Sequence, residues 1–128
     1  MIDSRCYYID SVKQSSYETA EASCVGKFPK GGHLFEPLSI EINDKVLIAS
    51  REVVSISWFR IGIKRNETVG SDYKFVSSGL IVPYAIPWTS STPSTSESNH
   101  QCVFAHDLAL LWMDVPCNFY TASICESV

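Results

Sequence analysis

The chain has 128 residues, of which 45% are hydrophobic and 19% charged, so it can form one compact domain (residues 1–128) but hardly two. The 10 basic and 14 acidic residues give a formal net charge of −4, and no basic cluster is denser than Lys64-Arg65, which argues against a nucleic-acid-binding protein. No apolar stretch approaches the roughly 18 residues that span a bilayer. We therefore expect no membrane contact by this domain itself.

The first helix is predicted from about Ser16 to Val25. Ser15-Ser16-Tyr17-Glu18 has the spacing of a capping box, in which a serine hydroxyl accepts from first-turn amides and the glutamate reaches back. Helical spacing then predicts one buried face, made by Tyr17, Ala20 and Cys24.

A second helix is predicted after a break at residues 27–32 and a short extended segment, His33-Leu34-Phe35. Ser39 is its expected cap. Hydrophobic residues recur at helical intervals along it, which predicts an inward stripe of Ile42, Val46, Ala49 and Val53.

The rest of the chain is predicted to form strands and loops. Segments rich in β-branched and aromatic residues are expected to be strands at 57–63, 73–76, 101–105, 110–113 and 122–125. Two helices followed by such strands predict an α+β domain with small antiparallel sheets.

A long connection, about residues 77–100, carries three prolines and few strand signals. Loops of this length inside a compact domain are generally functional or disordered. Its part from Thr89 to Ser98 is mostly serine and threonine, which fits a solvated, mobile or O-glycosylated loop. The functional alternative is a ligand-binding loop.

Five cysteines without a Cys-x-x-Cys pair favour disulfides over a zinc site and indicate an oxidising compartment. Four cysteines permit three pairings, among which spacing cannot choose. Asn66-Glu67-Thr68 is an N-glycosylation sequon, which agrees with a surface loop of a secreted or cell-surface glycoprotein.

Taken together, several short motifs resemble the C-type lectin domain family from Cys6 to Glu126. They are Cys6-Tyr7-Tyr8, the Ala20/Cys24 helix, Gly31-Gly32-His33-Leu34, Arg60-Ile61-Gly62-Ile63 in place of Trp-Ile-Gly-Leu, Cys102-Val103, Trp112-x-Asp114, Cys117 and Ile124-Cys125-Glu126. The resemblance implies a C-type lectin-like fold with disulfides Cys24–Cys125 and Cys102–Cys117. It leaves Cys6 unpaired, because in the long form of the family its partner lies upstream. The alternative is a bridge between two chains, which would make a dimer.

The resemblance also locates the family's calcium and sugar site, where this chain departs from the pattern. Thr92 and Ser94 flank the aligned proline, His100 replaces a glutamate and Met113 an asparagine, so only Asp114 remains of the usual ligands. Because Ca²⁺ takes six to eight oxygens, we expect no calcium at this site and no cofactor. Glu97, Asn99 and Asp107 offer oxygens for a displaced calcium site.

The candidate ligand-binding residues lie in or near the long connection. They are Trp88, Thr92, Ser94, Glu97, Asn99, His100, His106, Asp107 and Asp114, with Tyr84 beside them. Aromatic side chains there suit either a protein partner or a sugar ring. The structural alternatives are that Trp88 anchors the loop in the core, that His106-Asp107 is a polar turn, and that Trp58, Phe104 and Trp112 are packing residues.

An enzyme is not expected. Serines, histidines and aspartates are present, but no Gly-x-Ser-x-Gly elbow or metal-ligand spacing brings them together.

The sequence therefore predicts an extracellular recognition domain, excised from a longer secreted or membrane-anchored chain, that binds a protein as a receptor-type module. Carbohydrate binding, either without calcium or through a displaced calcium site, is the alternative, and a structural adhesion module is a third. A hydrophobic patch near the long connection would favour a protein ligand, whereas a shallow polar groove with one exposed aromatic would favour a sugar.

Overall fold

A computed structural model describes residues 5–66, 72–89 and 100–127 of the chain. In these ranges it contains two helices and seven strands. In chain order they are β1 Tyr7–Gln14, α1 Tyr17–Val25, β2 Gly32–Leu34, α2 Ile40–Val53, β3 Trp58–Arg65, β4 Tyr73–Phe75, β5 Cys102–His106, β6 Trp112–Val115 and β7 Thr121–Ser127. The α+β fold class is confirmed.

The strands form one sheet in the order β1-β7-β3-β5-β6, with β2 paired to β7 and β4 to β3. The expectation of purely antiparallel sheets was wrong at one pair, since β3 and β7 run parallel with Phe59 opposite Ala122. The long stretch of chain between β3 and β7 makes that pairing possible, because parallel neighbours need a crossover connection. β1 was not predicted as a strand, yet it pairs with β7 along Tyr7–Asp10.

The helix α1 begins one residue later than a cap at Ser15 would require. Ser16 is the N-cap, and its hydroxyl oxygen accepts from the Thr19 amide at 3.1 Å. The predicted capping box was therefore wrong, because Thr19 and not Glu18 occupies the reciprocal position. The predicted inner face of Tyr17, Ala20 and Cys24 is confirmed as buried.

The helix α2 is capped by Ser39 as predicted, but its buried face is rotated from the predicted stripe. The buried residues are Asn43, Val46, Leu47 and Ser50, whereas Ala49 and Val53 are exposed. The two polar residues can be buried because they are satisfied: Asn43 Oδ1 accepts from Trp112 Nε1 at 2.9 Å, and Ser50 Oγ donates to the Leu47 carbonyl at 2.6 Å.

Two buried clusters form the core, and both disulfides have the pairing that the resemblance implied. One cluster joins α2 to the sheet and includes fully buried Trp112. The other surrounds α1 and contains Cys24, Cys102, Cys125 and the buried Phe104. Disulfides link Cys24 to Cys125 and Cys102 to Cys117, while Cys6 is exposed and forms no disulfide within the chain. None of the described helices is long and apolar enough to cross a membrane.

In the hairpin between β5 and β6, strand β6 begins at Trp112, two residues later than predicted. Leu110 and Leu111 belong to the connection, with Leu110 at a φ of 58° and its amide donating to the His106 carbonyl at 2.9 Å. Leu110 and Leu111 were predicted to be in a strand because they are hydrophobic, but they lie in the turn between the two strands.

Candidate functional site

Asp114 lies inside the protein and faces a cation. Its Oδ2 atom is 3.4 Å from Arg65 Nη2, and both side chains are fully buried. His100 Nδ1 lies 3.5 Å from the same oxygen, at the end of the long connection. Arg65 is the last residue of β3 and Asp114 belongs to β6, so the pair spans the sheet across β5.

Trp88 anchors the long connection to this pair. It is half-buried, and its ring lies edge-on to the Tyr73 ring at a centroid distance of 4.8 Å. Tyr73 Oη in turn accepts from Arg65 Nε at 3.3 Å, and burial raises the pKa of Tyr73. The backbone follows the same course, since the Thr89 amide donates to the Trp112 carbonyl at 3.0 Å. Trp88 is thus packed as a loop anchor, next to the residues that hold Asp114.

The described residues around Asp114 do not fit a calcium ion. Calcium needs several oxygen ligands, whereas the two charged partners of Asp114 Oδ2 described above are a guanidinium and an imidazole. A buried guanidinium already supplies the positive charge that the Asp114 carboxylate requires. Thr92, Ser94, Glu97 and Asn99 lie outside the described residues.

His106 and Asp107 lie elsewhere on the sheet. His106 pairs with Trp58 across β3 and β5, whereas Asp114 pairs with Val103, roughly 10 Å away along the strand. His106 Nδ1 accepts from the amides of Leu108 and Ala109 at 3.2 and 3.0 Å, which is the arrangement of a polar turn. Asp107 is buried beside it. The structure therefore does not bring these two residues together with His100 and Asp114.

Two further predicted surface residues have clear positions. Tyr84 is half-buried, and its hydroxyl donates to the Pro37 carbonyl at 2.6 Å, so it ties the long connection to the segment before α2. Burial raises its pKa. Asn66 of the predicted sequon is exposed directly after β3.

A groove of about 520 Å³ lies where the start of the long connection meets β2 and the segment before α2. We call it the long-loop groove. It is lined by Arg5, His33, Glu36, Leu38, Phe75, Ser77, Ser78, Leu80, Ile81 and Pro83. Its rim is apolar and open to solvent, with Leu38, Leu80 and Ile81 exposed to 52, 67 and 45%.

The floor of this groove is polar and charged. Glu126, the residue after Cys125, lies beneath this floor, lines the adjoining cavity and is only 1% exposed. Its Oε1 lies 3.3 Å from Arg5 Nη1 and 3.5 Å from His33 Nδ1, which is also 2.8 Å from the Leu34 carbonyl oxygen. Glu126 Oε1 also accepts from the Glu36 amide at 3.0 Å. The Glu36 carboxylate accepts from the Ser77 amide and hydroxyl at 2.7 and 2.6 Å, which closes the floor against the long connection.

A glycine in β3 lets this floor pack directly on the sheet. The Gly62 amide donates to the Phe35 carbonyl at 2.6 Å. A Cβ atom at Gly62 would lie 2.7 Å from the Leu34 carbonyl oxygen and 2.8 Å from Glu36 Cγ, so no side chain fits there. The absence of a side chain at Gly62 therefore allows the segment from Leu34 to Glu36 to pack against β3.

The environment of Glu126 opposes its ionisation. Burial raises the pKa of this carboxyl to about 7, although the Glu36 amide, His33 and Arg5 act in the opposite direction. Donor atoms of His33, Glu36 and Glu126 lie within 4.8 Å of one another. Because Ser77 occupies both Glu36 oxygens and Arg5 already neutralises Glu126, we assign the cluster to charge pairing and hydrogen bonding, not to metal binding.

A second groove, of about 450 Å³, lies where β3 begins. It is lined by Lys13, Ser55, Ile56, Ser57, Trp58, Phe104, Met113, Tyr120 and Thr121. Tyr120 is 71% exposed and Trp58 half-buried, so Trp58 is not the purely internal residue that the sequence suggested. Neither groove was predicted, because their linings come from distant parts of the chain.

The structure is a disulfide-bonded α+β domain with two helices, one mixed sheet and surface grooves. Residues 13–127 match the family model described as the Lectin C-type domain. The chain therefore belongs to the C-type lectin domain family, a non-enzymatic binding fold. A comparison with curated proteins gives no match.

Solved structures similar to this chain include lectins and antifreeze proteins. A calcium-independent type II antifreeze protein is 26% identical over 100% of this chain and 89% of its own, with a TM-score of 0.78. Human lithostathine is 19% identical over 98% of this chain and 85% of its own, with a TM-score of 0.80. The carbohydrate-recognition domain of the mouse scavenger receptor C-type lectin is 24% identical over 99% of this chain and 92% of its own, with a TM-score of 0.78.

Proposed function

We propose that the chain is one extracellular recognition domain that binds a protein partner, without calcium, through the long-loop groove. The observation that carries this proposal is the apolar rim of Leu38, Leu80 and Ile81 around a charged floor. Clustered exposed hydrophobic side chains beside polar groups are typical of protein interaction sites. Part of the rim belongs to the long connection, where a hydrophobic patch favours a protein over a sugar.

The occupied surroundings of Asp114 support binding without metal. A similar solved structure, 26% identical, is described as a calcium-independent protein, which agrees with this interpretation. Two disulfides and an exposed Asn66 sequon fit an extracellular location.

Millimolar calcium should leave the thermal unfolding midpoint of the domain unchanged relative to chelator. A cation that binds only the native state must raise the midpoint, and the described residues offer no oxygen cage around Asp114. Paired unfolding scans with calcium and with EDTA measure this directly. A clear upward shift with calcium would mean that a displaced site exists, built with residues outside the described ranges such as Glu97 or Asn99.

Replacing both Leu80 and Ile81 by serine should weaken partner binding at least tenfold, because full burial of one such side chain contributes about 1.5–3 kcal/mol and about 1.4 kcal/mol is a tenfold change. The partner is first sought by screening the purified domain against displayed cell-surface and secreted ectodomains. Affinity for each hit is then measured by surface plasmon resonance for wild type and variants.

The matched control is Val53→Ser, which removes an exposed apolar side chain of α2 that is 70% exposed and lies outside the groove lining. It should bind as the wild type does. Equal affinity of the double serine variant and the wild type would refute the groove as the binding surface.

A glycan is the second candidate ligand, and the second groove favours it. Tyr120 presents an open aromatic ring beside Trp58, with Lys13, Ser55 and Ser57 as polar neighbours, an arrangement suited to stacking against a sugar. Binding to a glycan array that is lost in Tyr120→Ser, but kept in the Leu80/Ile81 variant, would establish this alternative. A domain that binds neither class of ligand would fit a structural module of a larger chain.

A further inference from the structure

We propose that Glu126 is a proton-sensitive switch beneath the long-loop groove, where it pairs with Arg5 of the groove lining. In its ionised form the carboxylate holds the Arg5 guanidinium; on taking up a proton from solvent it releases Arg5 to the groove. The inference shares the long-loop groove with the proposed function. It can be tested on the isolated domain without any partner.

The groups that face Glu126 come from three separate segments. Arg5 precedes β1, His33 belongs to β2, and Glu36 lies between β2 and α2, with Oε1 of Glu126 on β7 at the centre. Tyr7 also lines an adjoining cavity of about 140 Å³ together with Arg5, Glu36 and Glu126. One change of charge at this position therefore alters contacts to several elements at once.

Burial decides which partner moves. The Arg5 side chain is 38% exposed, whereas that of Glu126 is 1% exposed. A neutral carboxyl can stay buried and still accept from the Glu36 amide, but it no longer offers a full charge to the guanidinium. Arg5, already at the surface, can turn toward water and the groove with little loss of solvation.

The backbone next to Arg5 keeps the change local. The Cys6 amide donates to Ser127 Oγ at 3.0 Å, and the Ser127 amide donates to the Cys6 carbonyl at 2.9 Å. β1 therefore stays paired with β7 while the Arg5 side chain is released. The result is a groove wall with an unpaired guanidinium, which suits a carboxylate of a partner.

The switch adds positive charge to the groove as the pH falls. Protonation removes the negative charge of Glu126 and leaves Arg5 charged, while Glu36 remains tied to Ser77. An acidic side chain of a partner placed over Arg5 would consequently bind more tightly below neutrality than above it. The affinity of the groove for an acidic ligand therefore depends on the pH.

The test is an NMR titration of the isolated domain from pH 5 to 9, following the Glu36 backbone amide, the Glu126 carboxyl carbon and the Arg5 side-chain Nε–H. In the wild type all three signals should move together with one midpoint near pH 7. In Glu126→Gln the transition of the Glu36 and Arg5 signals should be absent. In Arg5→Gln the midpoint should rise by about one pH unit, because a cation that favours the ionised form is gone.

His33→Gln is the control for titration of the imidazole itself. The common transition should persist in this variant, since Glu126 and Arg5 both remain. A Glu126 carbon that titrates at the ordinary range for glutamate, or an Arg5 signal that stays fixed while Glu126 titrates, would overturn the proposal. If Glu126→Gln does not fold, the Arg5→Gln midpoint still decides, and none of these results depends on whether the Leu80/Ile81 variant loses a partner.

Discussion

Replacing Arg65 by methionine should lower the free energy of unfolding by about 3–5 kcal/mol, the usual cost of leaving one member of a buried ion pair without its partner. Arg65 and Asp114 have fully buried side chains with 3.4 Å between Nη2 and Oδ2, and Arg65 also donates to the Tyr73 hydroxyl. Methionine keeps much of the apolar stem but removes the charge. Urea unfolding at neutral pH measures the loss.

A double-mutant cycle separates the ion pair from simple loss of packing. Asp114→Asn should also destabilise the domain, and the double variant Arg65→Met/Asp114→Asn should be more stable than the sum of the single losses by at least 1 kcal/mol. The matched control is Lys64→Met, the preceding residue of β3, whose ammonium meets the exposed Glu18 at 3.9 Å and should cost less than about 1 kcal/mol. Additive single effects would show that Asp114 does not depend on Arg65 for its charge balance.

Arg65 and Asp114 form a buried ion pair where the family resemblance locates the calcium site. The sequence predicted that most of the family's usual calcium ligands are missing, but it did not identify the cation that lies beside Asp114. Arg65 and Asp114 are far apart in the chain and meet only because β3 and β6 flank β5 in the sheet. No local pattern carries that information, so the guanidinium could be identified only in the folded structure.

Hydrophobic periodicity and capping residues predicted the helices correctly where the buried residues are also the hydrophobic ones. The face of α1 with Ala20 and Cys24 agrees with its prediction, as does the Ser39 cap of α2. The α2 stripe was wrong because Asn43 and Ser50 are buried through hydrogen bonds, one of them to Trp112. Hydrophobic periodicity has no means of recognising a polar residue whose partner lies in another element.

The disulfide pairing shows a different limit. Spacing left three pairings open, and only the family resemblance selected Cys24–Cys125 and Cys102–Cys117. Neither residue spacing nor the family resemblance predicted the charged cluster beneath the groove, because no motif contains Arg5, Glu36 and Glu126 together. Gly62 was noticed only as part of a family motif, although its missing side chain is what admits Glu36 beside β3.

The domain should become less stable as the pH rises from about 5 to 8, and Glu126 should be the main reason. Its pKa is about 7 in the folded protein against an ordinary 4.5, so between these values the folded chain holds a proton that the unfolded chain has lost. Stability then decreases with rising pH and levels off above the folded pKa. At about 1.4 kcal/mol per unit of pKa difference, the loss is about 3–4 kcal/mol at most.

Glu126→Gln should remove this dependence. Glutamine keeps an oxygen that can accept from the Glu36 amide but carries no charge to bury, so the variant should match the wild type near pH 5 and exceed it near pH 8. Urea unfolding at four pH values across this range provides the two profiles. The matched control is Glu52→Gln on the exposed end of α2, which should keep the slope of the wild type.

Parallel profiles for the wild type and Glu126→Gln would contradict the prediction and would mean that Arg5 and His33 fully compensate the buried charge. Convergence at acidic pH and divergence at alkaline pH would instead show that the pair beneath the groove is held under a burial cost. The ion pair between Arg5 and Glu126 can then be replaced, because a carboxylate of a partner can pair with Arg5 while Glu126 accepts a proton. Ligand binding and proton uptake would then favour each other at this floor, as linkage requires of any two events that stabilise the same state.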